Sequence, residues 1–416
     1  MKLRNTILKL LILLVPFYFI RFNVGPIPTT LLEIAIYGAA VLFLFYKLFD
    51  LKDKKTLILA GGVFVLAGLV SAIVSPDKVS GLGLWKAYFF DGYLVFLMFL
   101  SALKNKKDFT DFVIYCGALT SALALLLFIS GAKTIDGRLY DLDRLSANYL
   151  AMFLAPILVL SLYQTIKKKT IFHILASALI VVAIYLTDSR GALVALAGAL
   201  ILFLYYFLAK SRKTLARVLL VILLAGFFIG GYLIFKPDWS DHSRKATSSN
   251  VRYYIWQTSF EIIGQKPILG VGLSNYQNYF STLTRDRVNY PEYISPVALT
   301  AHSLFIQLLA TSGAVGLLAF LYLLFSSRFY FSKNLPIVLA LFSILFYALV
   351  DTPFFRNDLA AIFWILLALS VNPVRNGDCF TINTGESKSP PSGTAPDHRK
   401  KSESLSNGVN YKQKNA

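Results

Sequence analysis

Twelve apolar stretches of nearly membrane-spanning length divide this chain, at about 5–20, 29–48, 56–75, 84–103, 109–130, 147–165, 170–187, 190–209, 215–235, 302–325, 335–352 and 358–372. A helix needs about 20 apolar residues to cross about 30 Å of hydrocarbon, and only helices and closed barrels satisfy their backbone there. The pattern predicts an all-α polytopic membrane protein with about 12 transmembrane helices. Lys47, Lys52, Lys54 and Lys55 follow the second stretch, Lys104, Lys106 and Lys107 the fourth, and Lys167, Lys168 and Lys169 the sixth. Lys210, Arg212, Lys213 and Arg217 follow the eighth, and Arg328 and Lys333 the tenth. All of these are even-to-odd connections, so they share one side. Positive loops are cytoplasmic loops, which places both termini in the cytoplasm.

The hydrophobic fraction of 56% and the charged fraction of 15% agree with this class. The net charge of +19 sits mostly in short loops and the tail, so inner-leaflet lipid is the expected partner and nucleic acid is not. Cys116 falls in a span and Cys379 in the tail, so no disulfide or metal framework follows. Met1 to Ile20 resembles a signal peptide but lacks a small-x-small cleavage site, and it reads as an uncleaved first span. Two regions result: a transmembrane domain over 1–372 and a disordered cytoplasmic tail over 373–416, rich in Ser, Lys, Pro, Asn and Gly.

One extracytoplasmic loop, about 236–301, is much longer than the others, and such loops usually carry function. Asn250 to Gly264 within it predicts an interfacial helix with Asn250 as N-cap. Arg252, Trp256, Ser259 and Ile263 recur at helical spacing. Lys266-Pro267 ends the helix and Gly270-Val271-Gly272 makes a turn.

Three connections on the extracytoplasmic side hold Arg138, Arg190, and Arg252 with His302, which the orientation rule does not require. Arg190 opens the eighth span, where Ser189 or Asp188 caps a helix N-terminus that favours an anion. A guanidinium there adds a bidentate phosphate clamp. The plainer reading is a tight turn with a snorkelling arginine. Arg252 either aims at the same anion or faces lipid phosphates. His302 opens the tenth span, where the helix dipole favours a neutral ring able to accept a proton, unless the residue is only structural. Asp141, Asp143, Arg144 and Asn148 cluster before the sixth span; they either pair with one another or offer two carboxylates to a divalent cation, and the expectation is no metal site.

Taken together, the segments resemble the O-antigen ligase and polymerase family of bacterial envelope glycosyltransferases, whose members look like GT-C-type enzymes. The matching pieces are Ser189-Arg190-Gly191-Ala192, Arg252 with Trp256, Pro267-Ile268-Leu269-Gly270-Val271-Gly272, and His302 followed by Leu304 and Gln307 through Gly313 to Gly316. The family often has Asn after the histidine and an acidic residue before the later glycine; this chain has Ser303, and Thr311 with Ser312.

The resemblance implies a glycan donor on undecaprenyl diphosphate at the outer face of the bacterial inner membrane. The acceptor would be lipid A–core for a ligase in lipopolysaccharide biosynthesis, or another lipid-linked repeat for a polymerase. A protein O-oligosaccharyltransferase is a third variant, which normally brings a further long extracytoplasmic domain. The resemblance also implies catalysis without metal or cofactor. Arg190 and Arg252 would hold the diphosphate, with Ser189 and Arg138 beside them, and His302 would act as general base. From a different class, a transporter or flippase of anionic lipid-linked glycan would show mid-membrane charges and broken or repeated helices.

Overall fold

The structure is a computed structural model that describes residues 2–25, 27–52, 54–103, 106–235, 248–285, 299–328 and 334–371. The expected tail, 373–416, and the flanks of the long loop, 236–247 and 286–298, lie outside the described residues.

Helices occupy each of the twelve apolar stretches. In order they are α1 (Lys2–Leu14), α2 (Leu31–Phe45), α3 (Lys55–Val74), α4 (Lys78–Trp85), α5 (Asp91–Leu100), α6 (Lys106–Ile129), α7 (Ala147–Lys168) and α8 (Ile171–Leu186). Then come α9 (Arg190–Ala209), α10 (Lys213–Phe235), α11 (Ser248–Gln265), α12 (Tyr276–Thr284), α13 (Leu304–Arg328), α14 (Leu335–Tyr347) and α15 (Asn357–Ser370). Among the described residues, seven helices are long and apolar enough to cross a membrane, and four apolar helices are shorter. The shorter ones, α2, α8, α14 and α15, fall at predicted spans whose ends are turns rather than helix.

Several features differ from the expected layout. A hairpin follows the first span: β1 (Arg21–Val24) pairs antiparallel with β2 (Ile27–Thr30), Arg21 opposite Thr30. Four-residue strands carry no readable periodicity, and Gly25 at φ +60° supplies the turn. The fourth stretch is a helix interrupted by a π turn, Lys86–Phe90, between α4 and α5. There Lys86 Nζ lies 2.7 Å from Glu33 Oε2 and 3.7 Å from Asp91 Oδ2, so charged groups also lie within a membrane-length helix.

The tenth stretch is not a continuous helix either. Gly313 breaks α13 with φ +63° and ψ −163°. The break frees backbone groups that would otherwise bond along the helix, and the Pro267–Gly272 turn takes them up. Val271 N donates to Ala310 O at 2.9 Å and Gly272 N to Thr311 O at 3.0 Å. In return Ala314 N donates to Pro267 O at 2.8 Å and Val315 N to Ile268 O at 3.2 Å. Ser71 Oγ, on α3, also donates to Thr311 O at 2.8 Å. Three elements are thereby stitched together at one level.

The core centres on α15, which is buried from Asp358 through Ser370. A helix apolar on all sides belongs inside a bundle. Trp364 packs among Phe64, Phe96 and Phe363, and Gly92 lies directly against its indole. Small residues that let helices approach are the usual cement between apolar helices in lipid, where tail and side chain are equally hydrophobic.

Candidate active site

The site is built where α9, α11 and α13 meet the turn after α14. At the first corner, Ser189 caps α9, with Ala192 N donating to its Oγ at 3.4 Å. The same hydroxyl lies 2.6 Å from the Tyr347 hydroxyl. Gly191 lets the corner close, since a Cβ there would sit 2.5 Å from the Tyr347 ring. Arg190, the first residue of α9, is exposed beside this contact.

Tyr347 ends α14, and the chain turns so that Asp351 N donates to Tyr347 O at 3.0 Å. Asp351 is buried. Its Oδ1 lies 3.3 Å from His302 Nδ1 and its Oδ2 lies 3.7 Å from an Arg252 guanidinium nitrogen. The first contact is a hydrogen bond and the second an ion pair beyond direct hydrogen-bond length. Thr352 N also donates to Oδ1, at 3.0 Å. Burial alone would raise the Asp351 carboxyl, but His302 and Arg252 more than offset it and hold it below its ordinary value.

His302 is fixed by backbone as well as by side chain. It has φ +45°, a conformation uncommon for any residue but glycine. Beside it, Leu304 N donates to both Ala348 O and Asp351 O, at 2.9 and 3.0 Å. The helix begins at Leu304, two residues beyond the expected start at His302. An ionised carboxylate can only accept, so Nδ1 must donate to Asp351. In the neutral ring that leaves the Nε2 lone pair as the proton acceptor.

Arg252 reaches Asp351 from α11, whose buried face is Arg252, Ile255, Thr258, Ser259 and Ile262. Ser259 Oγ lies 2.8 Å from the Tyr276 hydroxyl on α12. Arg252 is itself buried, which removes the reading in which it faces bulk lipid phosphates.

Arg138 is less engaged. Its Nε lies 2.7 Å from Asp136 Oδ2, and the next residue, Leu139, donates its N–H to Leu186 O at 2.8 Å. That bond ties the Arg138 loop to the end of α8, three residues before Ser189. The neighbouring acidic cluster does not pair internally through its side chains. Asp141 binds the Arg356 guanidinium and accepts from the Tyr18 hydroxyl at 3.1 Å, while Asp143 pairs with Arg21. Arg356 also forks onto Asp358, at 2.7 and 2.6 Å. Among the described residues no three His, Cys, Asp or Glu side chains form a metal-type group. His242 lies outside the described residues, and His173 is buried beside Thr170 and Asp111.

The structure therefore brings Arg252 and His302 onto one carboxylate and sets Ser189 on the tyrosine four residues before it. Sequence reasoning missed Asp351, Tyr347 and Arg356. Asp351 was absorbed into a predicted span ending at 352, whereas α14 stops at Tyr347. The readable signal was Asp351-Thr352-Pro353 through Arg356 and Asp358, a dense run of charge between two apolar stretches.

Comparison with known proteins bears on this geometry. Residues 175–321 match the family model described as O-antigen ligase. The match supports the O-antigen ligase/polymerase family. It encloses Ser189, Arg190, Arg252 and His302, and Asp351 lies beyond its end. A Haemophilus influenzae protein described only as uncharacterized is 24% identical over 313 residues, 69% of this chain and 75% of the relative. Members of the matched family are glycosyltransferase-like enzymes, and the apolar helices of this chain indicate a membrane protein.

Proposed function

We propose that this chain is a metal-independent glycosyltransferase that moves a glycan from undecaprenyl diphosphate to an acceptor sugar hydroxyl on the outer face of the inner membrane. An O-antigen ligase with lipid A–core as acceptor is the preferred form. The observation that carries this reading is the convergence of Arg252 and His302 on the buried Asp351 carboxylate. A base, a residue that orients it and a cation suited to a phosphate are what the chemistry requires.

The mechanism follows from these positions. His302 Nε2 takes the proton of the acceptor hydroxyl as its oxygen attacks the anomeric carbon. The bond from that carbon to the diphosphate oxygen breaks, and negative charge develops on the leaving group. Arg190 and Arg252 stabilise this charge, each contact contributing on the order of 3 kcal/mol in the transition state. Asp351 holds the ring with Nδ1 donating and stabilises the imidazolium that forms. Positioned proton transfer contributes a further factor of roughly 100 to 10,000.

A polymerase would use the same base and cations and differ only in its acceptor. The transport reading has two observations behind it, the broken α13 and the Lys86–Asp91 pair inside a helix. The break, however, is closed by backbone hydrogen bonds from the Pro267–Gly272 turn. The glycosyltransferase reading is therefore preferred. Reconstitution with a lipid-linked glycan and alternative acceptors tests it. Glycan found on lipid A–core supports the ligase, lengthened lipid-linked glycan the polymerase, and unreacted glycan moved across the bilayer contradicts both.

A further inference from the structure

We propose that the groove between the Val15–Phe19 turn and α6 binds one anionic phospholipid of the surrounding bilayer. One acyl chain lies in the groove and the phosphate rests on Arg144. The groove has a volume of about 420 Å³ and is lined by Phe17, Phe19, Leu123, Leu127, Leu142 and Arg144. Its walls are hydrocarbon and aromatic apart from that single cation. Leu126, which also lines it, and Leu145, next to Arg144, are 63% and 57% exposed and add to the apolar surface.

Arg144 is placed for an external anion. It is exposed, and the neighbouring carboxylate, Asp143, is taken by Arg21. Its backbone has φ +57°, and the loop holds that conformation through Asp141. Arg144 N donates to Asp141 O at 3.0 Å, while Leu145 N and Ser146 N donate to Asp141 Oδ1 at 2.7 and 3.0 Å. A guanidinium at the end of a membrane-length helix, above an apolar slot, matches a lipid phosphate in charge and geometry.

The interior behind Leu142 distinguishes a resident lipid from a reacting one. There Tyr18, Asp141, Arg356 and Asp358 close around a cavity of only about 10 Å³. That is room for one water at most. A chain in the groove therefore does not continue past Leu142 into this interior. The lipid instead braces the 139–146 loop, whose ends reach Leu186 and, through Asn148 O, the Tyr347 hydroxyl at 3.5 Å.

The test reads binding rather than transfer, so it stands apart from the proposed reaction. The full chain is placed in bilayer nanodiscs of phosphatidylcholine with phosphatidylglycerol, extracted gently, and weighed by native mass spectrometry. One phosphatidylglycerol should remain bound and should crosslink to a photoreactive residue at position 127. Arg144→Glu should weaken retention at least about tenfold, as expected for losing a charge-assisted contact. Leu127→Trp, which fills the slot, should abolish it, and Arg144→Lys should keep part. Equal retention in all variants, equal retention of phosphatidylcholine, or a lipid-linked glycan crosslinked at position 127 instead would overturn the proposal. Unchanged helical circular dichroism in each variant excludes misfolding as the cause.

Discussion

At the scale of single residues, Asp351 has two roles: it orients His302 and it neutralises buried Arg252. Asp351→Asn should therefore lower turnover by on the order of 100- to 10,000-fold, since the amide can present the wrong partner to Nδ1. Initial rates with saturating donor check this. Arg252→Lys and Arg190→Lys should each impair donor turnover, because a point charge lacks the bidentate fork; steady-state kinetics in the donor provide the readout. The Asp351 contacts also set a pH dependence. Because the carboxyl is held below its ordinary value of 3.8, its ion pairs stabilise the fold fully above that value. The contribution is lost as the pH falls through the lower folded-state value. Thermal unfolding from about pH 6 to about pH 3 should show an acid loss that is smaller in Asp351→Asn. An equal loss in both would remove the assignment.

At the scale of elements, the turn after α11 and the break in α13 form one joint. The joint sets the end of α11 against α13, and α11 and the turn that leads into α13 bring Arg252 and His302 to Asp351. Gly313→Ala would put a Cβ 2.1 Å from Ile268 O at a positive φ. It should destabilise by about 1–3 kcal/mol and reduce transfer even though it touches no substrate. Differential scanning fluorimetry and the transfer assay measure the two effects. The helices themselves were legible because apolar runs and lysine-rich loops state them directly. The loop helix was legible within two residues at its start and one at its end; Lys266-Pro267 marks that end, whereas Asn250, expected as the N-cap, lies inside α11. The hairpin, the π turn at Lys86 and the break at Gly313 were not. The hairpin is local, but its four-residue strands are too short to show a period. The other two have partners distant in sequence: Glu33 for Lys86 and, for Gly313 within a run that reads as continuous helix, the Pro267 to Gly272 turn that takes up the bonds the helix gives up.

At the scale of the whole molecule, the candidate site gathers chain from Ser189 to Asp351 at one end of the helices. Its individual members were legible as cations and a histidine outside the lysine-rich loops. Their common carboxylate was not, because a lone Asp at the end of an apolar run reads as helix terminus. The metal-free scheme has its own test at this scale. Chelator should leave transfer unchanged, and a loss of activity restored by added magnesium would contradict it. The most direct test of the account is glycan transfer by the reconstituted full chain carrying His302→Ala, with lipid-linked donor and lipid A–core acceptor. The account predicts that transfer is abolished while membrane insertion and donor binding persist. Transfer at the wild-type rate would show that His302 is not the base and that its meeting with Arg252 at Asp351 is only structural.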